Sequence, residues 1–513
     1  MLNRPTFGIA AIAALLFLSS LASVHLMALP VFEDEGSQLR LIWRIVEARE
    51  WLQPLADGKP LEAWLMVPLA WLGPQPLVMI RAVHVLSGMI GAVLTYRLAL
   101  QVGDRWMALT SGALFAICPF VVYLQRLALS DIFMCTAGIW VLLRVIALIR
   151  SATWANSAWL AIALLLAASC KLPVGFIFLT SMPLALVLLP AAERRALLAQ
   201  PALARVAAAH VPAAALAVLI AVVAITRVQH GQPPGFGLAD LLGVGLGQYQ
   251  GITAATGLPR SNLVTELTAQ LSSPVAVIGL IGLAASALLQ DWRQRWLIVT
   301  GALPMLAIGL LAAFWFSRYL LFTLPPLIIA AVSGWQALAS RWGPRGQSVK
   351  FAALAACAAL MGPQSARLIL NPIGARWSPL DRFQYFEGWG SGYGYPAAAH
   401  FLVAARAAPA ILFSLDGHSA YQLLTYLPAE WSDRVRPIMY GDDGRLLRTQ
   451  QQRLDDLLEH APAGILISPQ LLDGYLTSSF GPAALEHLQL RQIASFDKPG
   501  NRAQLALYEA TRR

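Results

Sequence analysis

The chain has 513 residues, 58% hydrophobic and only 12% charged, with a net charge of +10 and a mean hydropathy of +0.61. Water-soluble domains carry roughly 25% charged residues, so the composition excludes an ordinary soluble enzyme, a disordered chain and a coiled coil. A basic total also fits nucleic acid, whose phosphates bind Lys and Arg, but the charge has to be located before it means anything.

Residues 1–370 hold 24 Lys/Arg against 13 Asp/Glu, while residues 371–513 hold 13 against 14. The first part is apolar and basic and the second has a soluble domain's balance. This reads as a transmembrane domain over 1–370 and an appended domain over 371–513, with no nucleic acid partner.

A bilayer core takes about 20 apolar residues per helix. Eleven candidate spans follow in chain order, near 7–29, 76–98, 105–123, 131–149, 153–170, 172–190, 207–226, 274–290, 296–316, 319–338 and 349–369. The first run is longer than the apolar core of a signal peptide, about 7–15 residues, and lacks a small-residue cleavage site, so it reads as a retained helix. A shorter piece, 64–72, is interrupted by Pro68 and reads as re-entrant or interfacial. Cys118, Cys135, Cys170 and Cys357 all lie in apolar runs and define no disulfide framework.

Cytoplasmic loops of membrane proteins are enriched in Lys and Arg. With the N-terminus inside, eleven spans put Arg4, Arg97, Arg105, Arg144, Arg150, Arg194, Arg195, Arg205, Arg293, Arg295, Arg341, Arg345 and Lys350 on the cytoplasmic side, against Asp104, Glu193 and Asp291. That orientation is expected, with 371–513 extracytoplasmic. It leaves two long outer loops, 30–75 and 227–273.

With sidedness fixed, the remaining charges gather at outer helix ends. Glu33, Asp34 and Glu35 follow the first span, Lys59-Pro60 lies in the same loop, and Arg81 opens the second span. Arg126 and Asp131 flank the turn before the fourth span, Lys171 sits between the fifth and sixth, and Arg318-Tyr319 between the ninth and tenth. Ionisable groups at membrane depth are costly and usually functional. Arg and Lys bind phosphate oxygens through charge-assisted hydrogen bonds, which makes Lys59, Arg81, Arg126, Lys171 and Arg318 phosphate-binding candidates. The carboxylates Asp34, Glu35 and Asp131 supply a general base for an acceptor. Transfer of a group attached to a lipid-borne phosphate is the chemistry these residue types suit.

The tail reads as a small α/β domain, with strands at 410–415, 435–440 and 464–468, a helical pattern over 444–460, and a β-hairpin formed by 488–496 and 503–509. Asp442 and Asp443, between Gly441 and Gly444, lack calcium-loop spacing and read as a turn. Asp416-Gly417-His418-Ser419 has triad residue types without evidence of triad geometry. His84 is the single histidine at a plausible outer position, and reads better as an interfacial or core residue than as a metal ligand.

The Asp34-Glu35 pair after the first span resembles the signature of the GT-C superfamily of glycosyltransferases that use polyprenyl-phosphate sugars. Gly58-Lys59-Pro60 resembles the Lys-Pro element of the branch holding the lipid A aminoarabinosyltransferases and protein O-mannosyltransferases. Arg126 to Asp131, Lys171 with Pro173 and Gly175, and Arg318-Tyr319 before Pro325-Pro326 resemble later elements of the branch, over residues 1–335. The aromatic-glycine segment 382–396 looks like the opening of the soluble domain that some bacterial members carry.

The resemblance implies an inverting transfer at the anomeric carbon, with Asp34 as general base and Glu35 in support. Lys59, Lys171 and Arg126 would hold the donor phosphate, Asp131 would be a second acid, and Arg318 would bind phosphate or order the outer loops. It implies a polyprenyl-phosphate-linked sugar donor, an extracytoplasmic acceptor, surrounding membrane lipids and a bacterial inner-membrane location. It leaves a divalent cation open, since some relatives use one and others do not. This chain departs from the pattern at Leu61, at Gly58 and at Leu172, and Glu33 adds a third acid to the pair. The alternative class is a transporter or flippase for a lipid-linked or anionic substrate. It predicts midplane charges and helices broken within spans, whereas these charges cluster toward one face; no internal repeat is evident, which weakens an inverted-repeat transporter.

Overall fold

A computed structural model describes residues 4–56, 58–70, 76–171, 175–199, 201–229, 262–289, 291–311, 316–388, 390–404, 409, 411–414, 419–437, 449–480, 488–501 and 504–513. Asp57, Pro173, Asp416–His418, the 441–444 turn and most of the 227–273 loop fall outside these residues. The chain forms two compact units: Met1–Leu26 with Ala48–Ser378, and Met27–Glu47 with Pro379–Arg513.

The first unit is helical. Six helices among the described residues are long and apolar enough to cross a membrane: Thr6–Ala28, Leu77–Ala99, Ser130–Arg150, Ala202–Ile220, Ser317–Arg341 and Gly343–Leu370. Leu263–Leu271 and Ser273–Ala287, bent by 108°, make a seventh if taken as one span. Ile9, Phe17, Val187, Val211 and Leu280 are all at least 60% exposed, an outward apolar surface that suits lipid rather than water. This is a multi-pass membrane protein.

The count by length falls below the eleven expected spans because several of those runs are short or broken. Expected span 105–123 is two helices, Arg105–Ala116 and Pro119–Leu124. Pro119 contributes no N–H and pushes Cys118 into extended backbone. Expected span 172–190 contains a 3₁₀ turn, Phe176–Thr180, leading into the eight-residue helix Ser181–Leu188. Trp154–Cys170 has only 17 residues.

The second unit is an α/β layer structure around a five-stranded sheet. The strands are β1 Leu412–Ser414, β2 Val435–Pro437, β3 Ala463–Ile467, β4 Leu488–Asp497 and β5 Gln504–Arg512. β1 pairs in parallel with β2 and β3, and the β4–β5 hairpin joins β3 antiparallel through β5. Side chains alternate between faces along a strand, and the core follows that period. Phe413, Ile465, Ile467, Ala506 and Tyr508 pack beneath the helices Gln450–Glu459 and Leu472–Phe480. Leu412, Leu466, Leu505 and Leu507 pack on the opposite face against Tyr395–Ala404 and Ser419–Leu424. β3 is buried along its whole length, as a strand covered on both faces must be.

Candidate functional site

In the helical unit, Asp131 lies in the first turn of Ser130–Arg150, where the helix N-terminus favours negative charge. Lys171 is the residue that ends Trp154–Cys170, in extended backbone. The chain returns so closely that a Cβ on Gly175 would lie 2.3 Å from the Ala167 carbonyl oxygen, an approach only glycine allows. Lys171 Nζ donates to Asp131 Oδ1 at 2.8 Å, with the two side chains 14% and 3% exposed. The ammonium also sits 4.3 Å from the Tyr319 ring centroid, and the Arg318 guanidinium stacks 5.4 Å from the same ring. Asp131, Lys171, Tyr319 and Arg318 are therefore one cluster, from three separated stretches of sequence. Together they offer two cations beside one carboxylate and an aromatic face, which suits a phosphate in a desolvated setting.

Arg81 and Arg126 form a second group. Both are fully buried. Arg81 Nη1 donates to Leu26 O at 2.9 Å, and Arg126 Nη2 donates to His25 O at 2.9 Å and Val24 O at 3.3 Å. Arg126 Nη1 also donates to Leu368 O. These guanidinium groups grip three consecutive carbonyls of the turn that ends the first span, so part of their donor capacity goes to holding backbone.

Lys59 is half-buried and leads into Pro60–Ala70, with Pro60 as the first helical residue. Gly58 before it has φ +75°, the left-handed turn geometry that favours glycine. One helical turn beyond Lys59, Glu62 Oε1 meets His84 Nε2 at 2.9 Å, with both side chains at most 1% exposed. His84 Nδ1 lies 2.7 Å from the Ile80 carbonyl oxygen, so Nδ1 carries a proton and donates. Sequence reasoning passed over Glu62; the available signal was an acid alone in the apolar run 61–70. With both ring nitrogens engaged, His84 fits a buried structural residue. Among the described residues no group of three or more His, Cys, Asp and Glu side chains is placed to hold a metal ion.

Glu33, Asp34 and Glu35 belong to the second unit, where they form the first turn of Glu33–Ala48. Phe32 O accepts the first helical bond from Gly36 N at 3.0 Å, and Glu35 Oε2 accepts from Phe32 N at 2.9 Å. This is the reach-back half of a capping box. Glu35 is fully buried whereas Asp34 is only partly buried, so the two acids have different environments despite adjacent positions. Tyr393, in the glycine segment of the same unit, has its phenol pushed up to about 12 by burial and by neighbouring Tyr426.

No family model matches the sequence, and no curated protein matches it significantly. Solved structures do share its fold. ArnT from Cupriavidus metallidurans in the apo state matches with a TM-score of 0.59 at 13% identity, over 98% of both chains. The same protein bound to undecaprenyl phosphate matches with a TM-score of 0.60 at 14% identity, again over 98% of both. The Archaeoglobus fulgidus oligosaccharyltransferase with a tethered acceptor peptide matches with a TM-score of 0.55 at 11% identity, over 97% of this chain and 74% of that one. The chain thus shares its fold with ArnT and with the archaeal oligosaccharyltransferase.

Proposed function

We propose that the protein is an integral membrane glycosyltransferase that moves a sugar from a polyprenyl-phosphate donor to an extracytoplasmic acceptor. The observation that carries this reading is the fold shared with ArnT, solved with undecaprenyl phosphate bound, over 98% of both chains. The part-buried Lys171–Asp131 pair beside Tyr319 and Arg318 supports it, as the kind of cationic site a lipid phosphate needs.

In the proposed reaction the acceptor oxygen attacks the anomeric carbon while the carbon–oxygen bond to the phosphate breaks. Configuration inverts, and polyprenyl phosphate leaves with the bonding pair. Asp34 takes the acceptor proton, being the less buried acid of the pair, and Glu35 holds the helix start. Lys171, Lys59 and Arg318 stabilise the charge that develops on the leaving phosphate, and Asp131 keeps the Lys171 ammonium in place. Arg81 and Arg126 add positive potential while holding the 24–26 turn. About eleven membrane passes, a cytoplasmic N-terminus, an extracytoplasmic 371–513 domain and an inner-membrane location complete the reading. The solved structures that share the fold lend no support to the transporter alternative.

The test compares envelope lipids and glycans by mass spectrometry in cells with the wild-type protein, without it, and with Asp34→Asn. Loss of the protein should remove a sugar-modified species. Asp34→Asn should lower that species about 100-fold or more, the scale of a lost general base, while undecaprenyl phosphate still binds. Wild-type product from Asp34→Asn would remove Asp34 as the base.

A further inference from the structure

The proposed base sits on a short segment, 27–47, that is separated by more than 330 residues from the rest of its compact unit. The described contacts show what fixes that segment. Val31 N donates to the Tyr426 hydroxyl at 2.7 Å, and Gln422 Nε2 donates to Val31 O at 2.8 Å. Glu33 N donates to Gly390 O at 3.1 Å, and the Phe32 ring packs 5.0 Å from that of Tyr385. Val31 N, Val31 O and Glu33 N thus take partners from the C-terminal chain, while Phe32 N and O are held within the segment by Glu35 and Gly36.

The glycine segment makes this approach feasible. A Cβ on Gly392 would lie 2.1 Å from Val31 O, and one on Gly390 would lie 2.5 Å from Glu33 Oε2. The first clash is with backbone, so any larger residue at 392 displaces the 31–33 strand of chain. The segment is itself locked from behind. Lys498, 2% exposed at the β4–β5 turn, donates from Nζ to Gly388 O at 2.9 Å and to Ser391 O at 3.1 Å. A buried ammonium is retained only where its donors are satisfied; here they fasten the two residues that bracket Gly390.

We infer that the C-terminal domain is a positioning element for the acid helix: Tyr426, Gln422 and the Lys498-anchored glycine segment set the first turn of Glu33–Ala48, and with it Asp34. The inference rests on the reading of Asp34 as the base for its catalytic consequence, but not for its structural one. It gives the tail a task in the chemical step, and makes Tyr426, Gln422 and Lys498 positioning residues that touch no reacting atom. Misplacing a reactive group by about 1 Å costs on the order of 100-fold in rate.

The test uses the full-length protein in lipid nanodiscs with Tyr426→Phe, Gln422→Met and Gly392→Ala, and Gly474→Ala as a control, since a Cβ there meets nothing within 4 Å. Hydrogen–deuterium exchange of the peptide covering residues 30–36 should accelerate about tenfold in the first three variants and stay unchanged in the control. Undecaprenyl phosphate, used as the binding probe, should retain wild-type affinity, while sugar-modified product in cells falls about 10- to 100-fold. Unchanged exchange at 30–36 in all three variants would overturn the inference, whatever the activity. Accelerated exchange with undiminished product, in cells where Asp34→Asn abolishes it, would also overturn it. If Asp34→Asn itself leaves product intact, the glycosyl-transfer reading of Asp34 fails, and the exchange measurement still decides the positioning.

Discussion

Lys171 and Asp131 are the pair whose chemistry depends most on single atoms. Removing one partner of a part-buried, charge-assisted contact forfeits about 1.5–3 kcal/mol, or roughly 10- to 100-fold in an equilibrium. Lys171→Met should therefore weaken undecaprenyl phosphate binding by about that factor, read by titration of the purified protein. Lys171→Arg should restore only part of it, because a planar fork does not reproduce a point charge set 4.3 Å over the Tyr319 ring. Full affinity in Lys171→Met would remove this residue from the donor site. The residue types of this cluster were legible in sequence, but their mutual contact was not. Asp131 and Lys171 are 40 positions apart, and nothing in either local stretch encodes the other. In sequence Tyr319 is only Arg318's neighbour, yet in the fold its ring receives both cations.

Between elements, the Glu62–His84 contact ties Pro60–Ala70, which follows Lys59, to Pro76–Ala99, which carries Arg81. Breaking a buried pair from one side costs about 3–5 kcal/mol, whereas replacing both partners with packed apolar groups is often close to neutral. Glu62→Leu and His84→Leu should each lower the thermal midpoint of the solubilised protein strongly. The double substitution should recover most of the loss. Additive losses would mean that the two side chains are not coupled. Arg81 and Arg126 act at the same scale, since their partners are the carbonyls of Val24, His25 and Leu26. Their sequence context fits phosphate equally well, because a guanidinium matches phosphate and carbonyl oxygens alike. Only the placement of the turn after the first span distinguishes these uses. Where helices were expected as single spans, Pro119 and the 3₁₀ turn at 176–180 divide them.

At the scale of the whole molecule, the proposed orientation makes a prediction that does not depend on activity. All four native cysteines are buried, so a single introduced thiol reports its own accessibility. Ser432→Cys, at an exposed position of the C-terminal domain, should react with a membrane-impermeant maleimide in intact spheroplasts. Ser348→Cys, exposed between Arg345 and Lys350, should react only after the membrane is opened. The reverse pattern would invert the topology and place the appended domain in the cytoplasm. The fold itself recurs in ArnT at 13% identity, so it tolerates replacement of most side chains.

Composition and the spacing of apolar runs determined by themselves that this is a polytopic membrane protein with a small α/β tail. Those properties depend on averages over 20 or so residues, which local sequence carries in full. Tertiary structure alone decided which charges meet. It set Lys171 against Asp131 and Tyr319, turned Arg81 and Arg126 toward backbone carbonyls, and paired Glu62 with His84. It also grouped the acid segment 27–47 with residues 379–513. Such contacts join residues tens to hundreds of positions apart, and their energy comes from desolvation and close geometry that exist only once the chain has folded.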